Sequence, residues 1–378
     1  MMGVTANSTN LLAKLGIAVP IIQAPMAGWA TPALAAAVSG SGALGSLGLG
    51  GMTAENARAV IRETRSLTDR PFNVNVFCHA RPISDPVREA RWLAYLKPHF
   101  ARFQAQPPMT LGEGYASFVD DDAMLTMLLE ERPAAVSFHF GLPTSAKIAA
   151  LRNAGIALFA TATNTDEAGR IAAAGIDAIV AQGAEAGGHR GMFNPASSDE
   201  RLGTMPLVRL LLRETSVPVI AAGGIMDGAG IAAVLALGAQ AAQLGTAFLT
   251  TVESAADPAD RAALLSPQSR TAFTKAISGR PARAIENHFT KLGQDPDCPA
   301  VPDFPLAFAA GKALNAAAQA HGSSDYAVQW AGQAVRLSRA MPAAELVATL
   351  VRETVDAITS ISANFASLSH SETSQSIT

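Results

Sequence analysis

Charge is what this sequence has least of. Only 16% of its 378 residues are Asp, Glu, Lys or Arg, against about 25% in an ordinary globular domain. The 28 basic and 31 acidic residues leave a net charge of −3, so no basic field exists to hold DNA or RNA, and nucleic acid is not an expected partner. Cysteine is almost missing. Cys78 and Cys298 stand far apart with no C-x-x-C spacing, which gives neither a zinc cage nor a disulfide framework and fits a reducing cytoplasm. The N-terminal string MMGVTANSTNLLAKLG has no basic stretch leading into an apolar one, so no signal peptide is expected. There is no G-x-x-x-x-G-K-[ST] string either, which argues against nucleotide hydrolysis.

Two stretches, residues 15–54 and 228–252, contain no charge at all, and each exceeds the roughly 20 residues that cross a bilayer. The first is cut by Pro20, Pro25, Pro32 and many glycines, and the second carries Gln240 and Gln243 among glycines. Neither has flanking Lys/Arg clusters or aromatic belts. Both are expected to be covered by protein, with no membrane partner.

What is present is 49% hydrophobic residues, enough for a large core, arranged as short apolar runs alternating with helical periodicity. The runs PIIQA (20–24), GALGSL (42–47), FNVNVF (72–77) and AAVSFHF (134–140) read as strands. So do ALFATAT (157–163), AIVAQG (178–183), PVIAAGG (218–224) and AAQLGTAFL (241–249). Between them, helical patterns cover 32–39, 54–67, a long region from 84 to 131, 144–153, 166–174, 206–215 and 227–237. Thr53, Thr165 and Asp227 are placed to cap helices, and Gly155, Gly175 and Gly238 to end them. Eight strand-then-helix units in about 250 residues predict an α/β fold, a closed (β/α)8 TIM barrel. An open doubly wound sheet is the alternative, and it uses fewer strands.

After residue 250 the pattern changes to helical stretches mixed with loops such as GQDPDCPAVPDFP. The expected organisation is a barrel from 1–250 plus 325–363, a smaller helical capping domain over 251–324, and a disordered serine-rich tail over 364–378.

In such a barrel the chemistry sits at the carboxyl ends of the strands, and those positions here are polar or glycine-rich. Asn73 and Asn75 share one strand face by their spacing. His139 ends the fourth strand and Thr161 the fifth, and the sixth runs out through QGAEAGGHRG (182–191). Gly223-Gly224 and Gly245-Thr246 end the seventh and eighth, where backbone N–H groups cradle phosphate in barrels of this kind. The same glycines also suit plain tight turns. The string Gly40-Ser41-Gly42-Ala43-Leu44-Gly45 satisfies G-x-G-x-x-G, but it follows a helix and precedes a strand, the reverse of a dinucleotide site.

Of the seven histidines, only His139 and His189 fall at strand ends, and most of the others read as surface residues. His189 stands among glycines, and a neutral imidazole there can take a proton from a weak carbon acid. Glu185 and His189 have no third ligand beside them, so no metal is expected. His139 reads equally as a site residue or as a satisfied barrel histidine.

Taken together, QAPMAG (23–28), FNVNVF (72–77), HFGLP (139–143), QGAEAGGHRG (182–191), AAGGI (221–225) and QLGTAF (243–248) resemble the nitronate monooxygenase family, formerly 2-nitropropane dioxygenase, in its first class. The resemblance spans most of the barrel, and QGAEAGGHRG with QAPMAG is its specific part. It implies FMN as cofactor. Ala24, Pro25 and Met26 would meet the flavin by backbone, Asn75 and Gln182 by side chain, with Gly187 and Gly188 beside it. Gly223, Gly224, Gln243, Gly245 and Thr246 would hold the phosphate. His189 matches the family's catalytic base or substrate anchor. The implied reaction turns a small nitronate, such as propionate 3-nitronate, or a nitroalkane, and O2 into a carbonyl compound and nitrite without NAD(P)H. Such an enzyme is expected in the cytoplasm as a monomer or homodimer. Reductases of the same barrel, acting on quinones or on enoyl-acyl carrier protein with NAD(P)H, are the alternative.

The C-terminal part departs from the family pattern, which has tyrosines before a lysine where this chain reads Phe304-x3-Phe308-x3-Lys312. The aromatic walls remain without their hydroxyls, Lys312 still attracts an anionic substrate, and polar recognition is altered. The string WAGQ (330–333) also resembles the family and reads either as a segment closing over the site or as helix packing.

Overall fold

The computed structural model describes residues 10–112 and 114–374, with side chains up to residue 364. Its strands are β1 (Ile21–Gln23), β2 (Gly45–Gly48), β3 (Phe72–Phe77), β4 (Ala135–His139), β5 (Ala157–Ala162), β6 (Ala178–Gln182), β7 (Gly188–His189), β8 (Val219–Ala222), β9 (Ala241–Leu244), β10 (Thr271–Thr274) and β11 (Ala282–Ile285). Eight of them form one parallel sheet in the order β1-β9-β8-β6-β5-β4-β3-β2. The two ends meet. Ile22 bridges Leu44 just before β2, with Gln23 N donating to Leu44 O at 2.9 Å and Leu44 N to Ile21 O at 3.0 Å. The sheet is therefore a closed (β/α)8 TIM barrel, as the alternation of runs predicts.

The strands read as continuous apolar runs because both their faces are covered. Ile21, Ile179, Val219 and Ala221 face outward into the core shared with the helices. Their neighbours Ile22, Val180 and Ile220 join Leu44 and Phe159 in a separate inner cluster, which Leu11 and Leu15 of the helix Leu11–Leu15 complete. The alternation is the period of two that every strand imposes.

The charge-free stretch 15–54 folds into β1, the helix Pro32–Gly40 and β2, and 228–252 into the helix Gly228–Ala236, β9 and the short helix Thr246–Leu249. Among the described residues, no helix is long and apolar enough to cross a membrane. Thr53 and Asp227 cap their helices as expected, accepting from Asn56 N and Gly230 N. Asn164, not Thr165, caps the helix Thr165–Ala173; two capping residues stand in a row, and it is the Asn164 oxygen that receives the Glu167 N–H. Gly155, Gly175 and Gly238 all take positive φ just past helix ends.

Three other expectations need correction. The eighth barrel strand ends at Leu244, because Gly245 turns the chain into the helix Thr246–Leu249. The long helical region of 84–131 is two helices, Pro86–Ala101 and Asp122–Glu131, each started by an aspartate cap. The serine-rich tail continues the helix Ala343–Ser374 instead of being disordered from 364 on. No Gly or Pro occurs between Ala343 and Ser374 to stop it. Residues 375–378 lie outside the described residues.

Segment 251–324 holds helices together with the antiparallel hairpin β10–β11. Its core is shared with the insertion after β3: Trp92, Leu96 and Phe100 pack with Phe289, Leu306, Leu314 and Tyr326. The loop after β6 joins this layer too, since β7 pairs with β11 through His189↔Ala282 and Gly188↔Arg283.

Candidate active site

A pocket opens at the carboxyl ends of the barrel strands. Ala24, Pro25 and Met26 line it after β1, Asn75 within β3, His139 at the end of β4, and Gln182 at the end of β6. Gly187, Gly188 and His189 follow on the loop after β6, then Gly223 and Gly224 after β8, and Gln243, Gly245 and Thr246 at β9. The fold thus brings every residue expected to hold the cofactor into one cavity with both strand-end histidines. None of the lining residues is Lys or Arg.

The end of the pocket expected to take the phosphate is built from backbone. Gly223 and Gly224 have φ of 122° and 73°, a region that side chains rarely adopt. A Cβ on Gly223 would lie 2.9 Å from Thr204 Oγ1, and one on Gly224 3.1 Å from Glu185 Cβ. Thr246 Oγ1 accepts from Gly332 N at 2.9 Å and keeps its own proton to donate. Glu185 is engaged by the backbone. Its two oxygens accept from Thr204 N at 3.0 and 2.9 Å, at the start of the helix Thr204–Glu214 whose N-cap Gly203 has no side chain to do so. Among the described residues, no group of His, Cys, Asp and Glu is arranged to hold a metal.

Asn75 spends its amide protons on Ser137, at 2.9 Å to Oγ and 3.0 Å to O, which leaves Oδ1 as the acceptor for a ligand. Gln182 clamps the loop that follows it. Its Nε2 donates to His189 O at 2.9 Å, and its Oε1 accepts from Gly191 N at 2.7 Å. One N–H of its amide remains for the pocket. Beneath the loop the buried Arg190 reaches Asp199 with two bonds of 2.9 and 3.1 Å and also donates to Gln182 O.

His139 has partners at both ring nitrogens, Thr161 Oγ1 at 3.0 Å and His189 O at 3.3 Å. The ring lines the pocket and supports the backbone of His189. Burial drives its imidazole down to about 4. Burial first, then the neighbouring His139 and the Arg280 guanidinium, push His189 down to about 3, so it is neutral throughout the physiological range. Its Nε2 lies 2.8 Å from Ser278 Oγ.

Phe304, Phe308 and Lys312 stand outside the pocket walls. The two phenylalanines meet the site through the His189 ring, edge-on at centroid distances of 5.4 and 6.3 Å. Phe140, held at φ 73°, and Trp330 complete the surround of that imidazole at 5.6 and 4.9 Å. The WAGQ segment lies across the glycine loop, with Gln333 N on Glu185 O at 2.9 Å and Ala331 against Gly187.

Sequence reading missed several parts. Tyr115, from the insertion after β3, stacks on Phe304 and Phe308 at 5.9 and 5.7 Å, and Lys312 Nζ sits 4.8 Å from its ring centre. A phenol therefore reaches the aromatic wall from another part of the chain. Its one sequence signal is the pair of glycines at 112 and 114; the close approach of Gly51, where a Cβ would come within 1.9 Å of the Tyr115 ring, shows only in three dimensions. Ser278 and the buried Arg280, whose guanidinium stacks 4.3 Å from the Phe140 ring centre, carry no local signal at all. His79, expected at the surface, is 2% exposed. It packs edge-on to Phe304 at 5.1 Å, because the strand end and the insertion cover it together.

A closed (β/α)8 barrel whose C-terminal mouth holds a glycine-lined pocket beside a buried neutral histidine has the form of an enzyme that works on a small molecule. The chain belongs to the nitronate monooxygenase family, whose model matches residues 8–353, and it is an oxidoreductase. It is 61% identical over 344 residues to a nitronate monooxygenase of Paraburkholderia phytofirmans, covering 91% of this chain and 94% of that protein. Among solved structures it resembles a nitroalkane oxidase from Streptomyces ansochromogenes, with 40% identity, a TM-score of 0.82 and coverage of 93% and 99% of the two chains. FabK from Thermotoga maritima is more distant, at 27% identity and a TM-score of 0.70 over 94% and 99%.

Proposed function

We propose that the protein is an FMN-dependent nitronate monooxygenase that oxidises alkyl nitronates such as propionate 3-nitronate, and neutral nitroalkanes, with O2 to carbonyl compounds and nitrite. The observation that carries this reading is the convergence of all the expected flavin contacts on one pocket beside His189. Bound FMN would supply acceptance of electrons from the substrate and their delivery to O2. The chain supplies the rest. Ala24–Met26, Asn75, Gln182, Gly187 and Gly188 would hold the ring system, and Gly223, Gly224, Gln243, Gly245 and Thr246 the phosphate, through backbone groups and neutral side chains.

His189, neutral and walled by Phe140, Phe304, Phe308 and Trp330, takes the α-proton of a neutral nitroalkane. The exposed ammonium of Lys312 draws the anionic substrate to the aromatic wall; it has no acidic partner among the described residues. Both cysteines are free thiols, which supports a reducing, cytoplasmic setting.

The test is a visible spectrum of the purified protein followed by oxygen uptake and nitrite release with propionate 3-nitronate, without NAD(P)H. Flavin bands and stoichiometric nitrite are expected. A yellow protein that oxidises no nitronate, and whose flavin NADH or NADPH bleaches rapidly without oxygen, would identify a reductase of the same barrel instead.

A further inference from the structure

Ser278 lies in the turn between β10 and β11, in the layer that covers the barrel mouth, and it is completely buried. Its hydroxyl touches two groups: Nε2 of His189 at 2.8 Å, and the backbone carbonyl of Arg280 at 3.4 Å. The hydrogen bonds of the described residues include none to Nδ1 of His189, nor is Nδ1 among the buried polar atoms left without a partner. Nδ1 is the nitrogen left to the pocket that His189 lines.

These contacts bear on which ring nitrogen holds the proton. A carbonyl oxygen can only accept, so Arg280 O, at 3.4 Å, offers the Ser278 proton an acceptor that leaves the serine oxygen available to an Nε2–H donor. The serine oxygen then accepts Nε2–H from His189, and the lone pair falls on Nδ1. The pairing β7–β11 brings this about, because His189 opposite Ala282 places its ring beside the hairpin turn. Gln182 and His139 fix the carbonyl of the same residue, so backbone and ring are each held from a different element.

We propose that Ser278 is a positioning residue that keeps His189 in its Nε2–H tautomer, so that Nδ1 is the base that removes the α-proton of a neutral nitroalkane. The inference rests on the proposed function for its substrate. In the step, the substrate C–H bond breaks, its proton goes to Nδ1, and its electron pair stays on the substrate as the nitronate. The new imidazolium keeps Nε2–H on Ser278, whose own proton stays on the Arg280 carbonyl. A preformed nitronate has no such proton to lose and does not need the tautomer.

The test compares the wild type with Ser278→Ala and the conservative Ser278→Thr. Ring-nitrogen NMR of histidine-labelled protein, with the His189 signals assigned through His189→Asn, should show Nε2 protonated in the wild type and in Ser278→Thr. Ser278→Ala should show a tautomer mixture. Against a neutral nitroalkane, kcat/KM of Ser278→Ala should fall about tenfold or more, a part of the roughly hundredfold or greater contribution of a general base. Oxidation of the corresponding nitronate should change by less than about threefold, and Ser278→Thr should recover the loss. Equal losses with both substrates, or ring signals unchanged in Ser278→Ala, would overturn the proposal. Should the wild type oxidise neither substrate, the proposed function fails on that result, and the ring signals still decide the role of Ser278.

Discussion

Gly223 sits where β8 runs out, at φ 122° with Thr204 Oγ1 close behind it. Nothing but hydrogen fits there, and the backbone is free to face a ligand. The substitution Gly223→Ala should therefore cost about 1–3 kcal/mol of stability through backbone strain, and it should lower the flavin content of the purified protein more than its helicity. A thermal melt and the ratio of visible to ultraviolet absorbance check both, and full flavin occupancy in the variant would remove Gly223 from the cradle. The side chains nearby follow a similar economy. Asn75 and Gln182 each use most of their amide on neighbouring protein and keep one polar atom for the pocket. Residue types and strand-end positions made these groups legible in the sequence. The partners that orient them, such as Ser137 and Gly191, were not, since hydrogen bonding is settled by geometry.

The loop from Gln182 to Gly191 is the element on which the site depends. Its backbone is clamped by Gln182, paired to β11, and tied underneath by the Arg190–Asp199 ion pair, in which the Arg190 side chain is 1% exposed. Removing one member of a buried pair leaves the other charge without compensation. Asp199→Ala should destabilise the protein by about 3 kcal/mol and depress turnover, while Asp199→Glu, which keeps the charge, should retain more of both. Urea unfolding measures the difference, and a variant as stable as the wild type would show that Gln182 O and Thr163 O suffice for Arg190. Periodicity revealed helices such as Ala54–Leu67 with both bounds correct. It had no means of revealing β7, a two-residue strand defined only by a partner far along the chain.

At the scale of the molecule, the scarcity of charge has a counterpart in buried neutral histidines. His79, His139 and His189 are held down to about 4, about 4 and about 3, in each case chiefly by burial. Unfolded, each returns to about 6.5. The stability they permit is complete above pH 6.5 and is lost as the pH falls toward their folded values, because the unfolded chain takes up the protons. Each contributes up to about 1.4 kcal/mol per pH unit in that window. Asp199, Glu131 and Glu353, lowered by their arginine partners and, for Asp199 and Glu353, backbone N–H groups, extend the same trend below it. Scanning calorimetry should find a melting temperature that is level from pH 8 to 7 and falls steeply from 6.5 to 4.5. An unchanged value at pH 5 would mean that these rings are already protonated in the fold.

The sequence by itself determined the barrel, because eight apolar runs spaced by helical periodicity have few other ways to cover both faces of each strand. It also determined which residues meet at the mouth, since strand ends are marked locally by Gly, Asn, Gln and His. Tertiary structure decided what those residues do. The insertion carrying Tyr115, the hairpin turn carrying Ser278 and the buried Arg280 come from distant parts of the chain, and their packing on Phe304, His189 and Phe140 is a matter of tertiary structure that no local pattern records. Even the charge-free stretches needed the fold to be understood. Their lack of charge alone is compatible with lipid; Pro20, Pro25, Pro32 and the glutamines argue against a span, and strands and helices from the rest of the chain close around them.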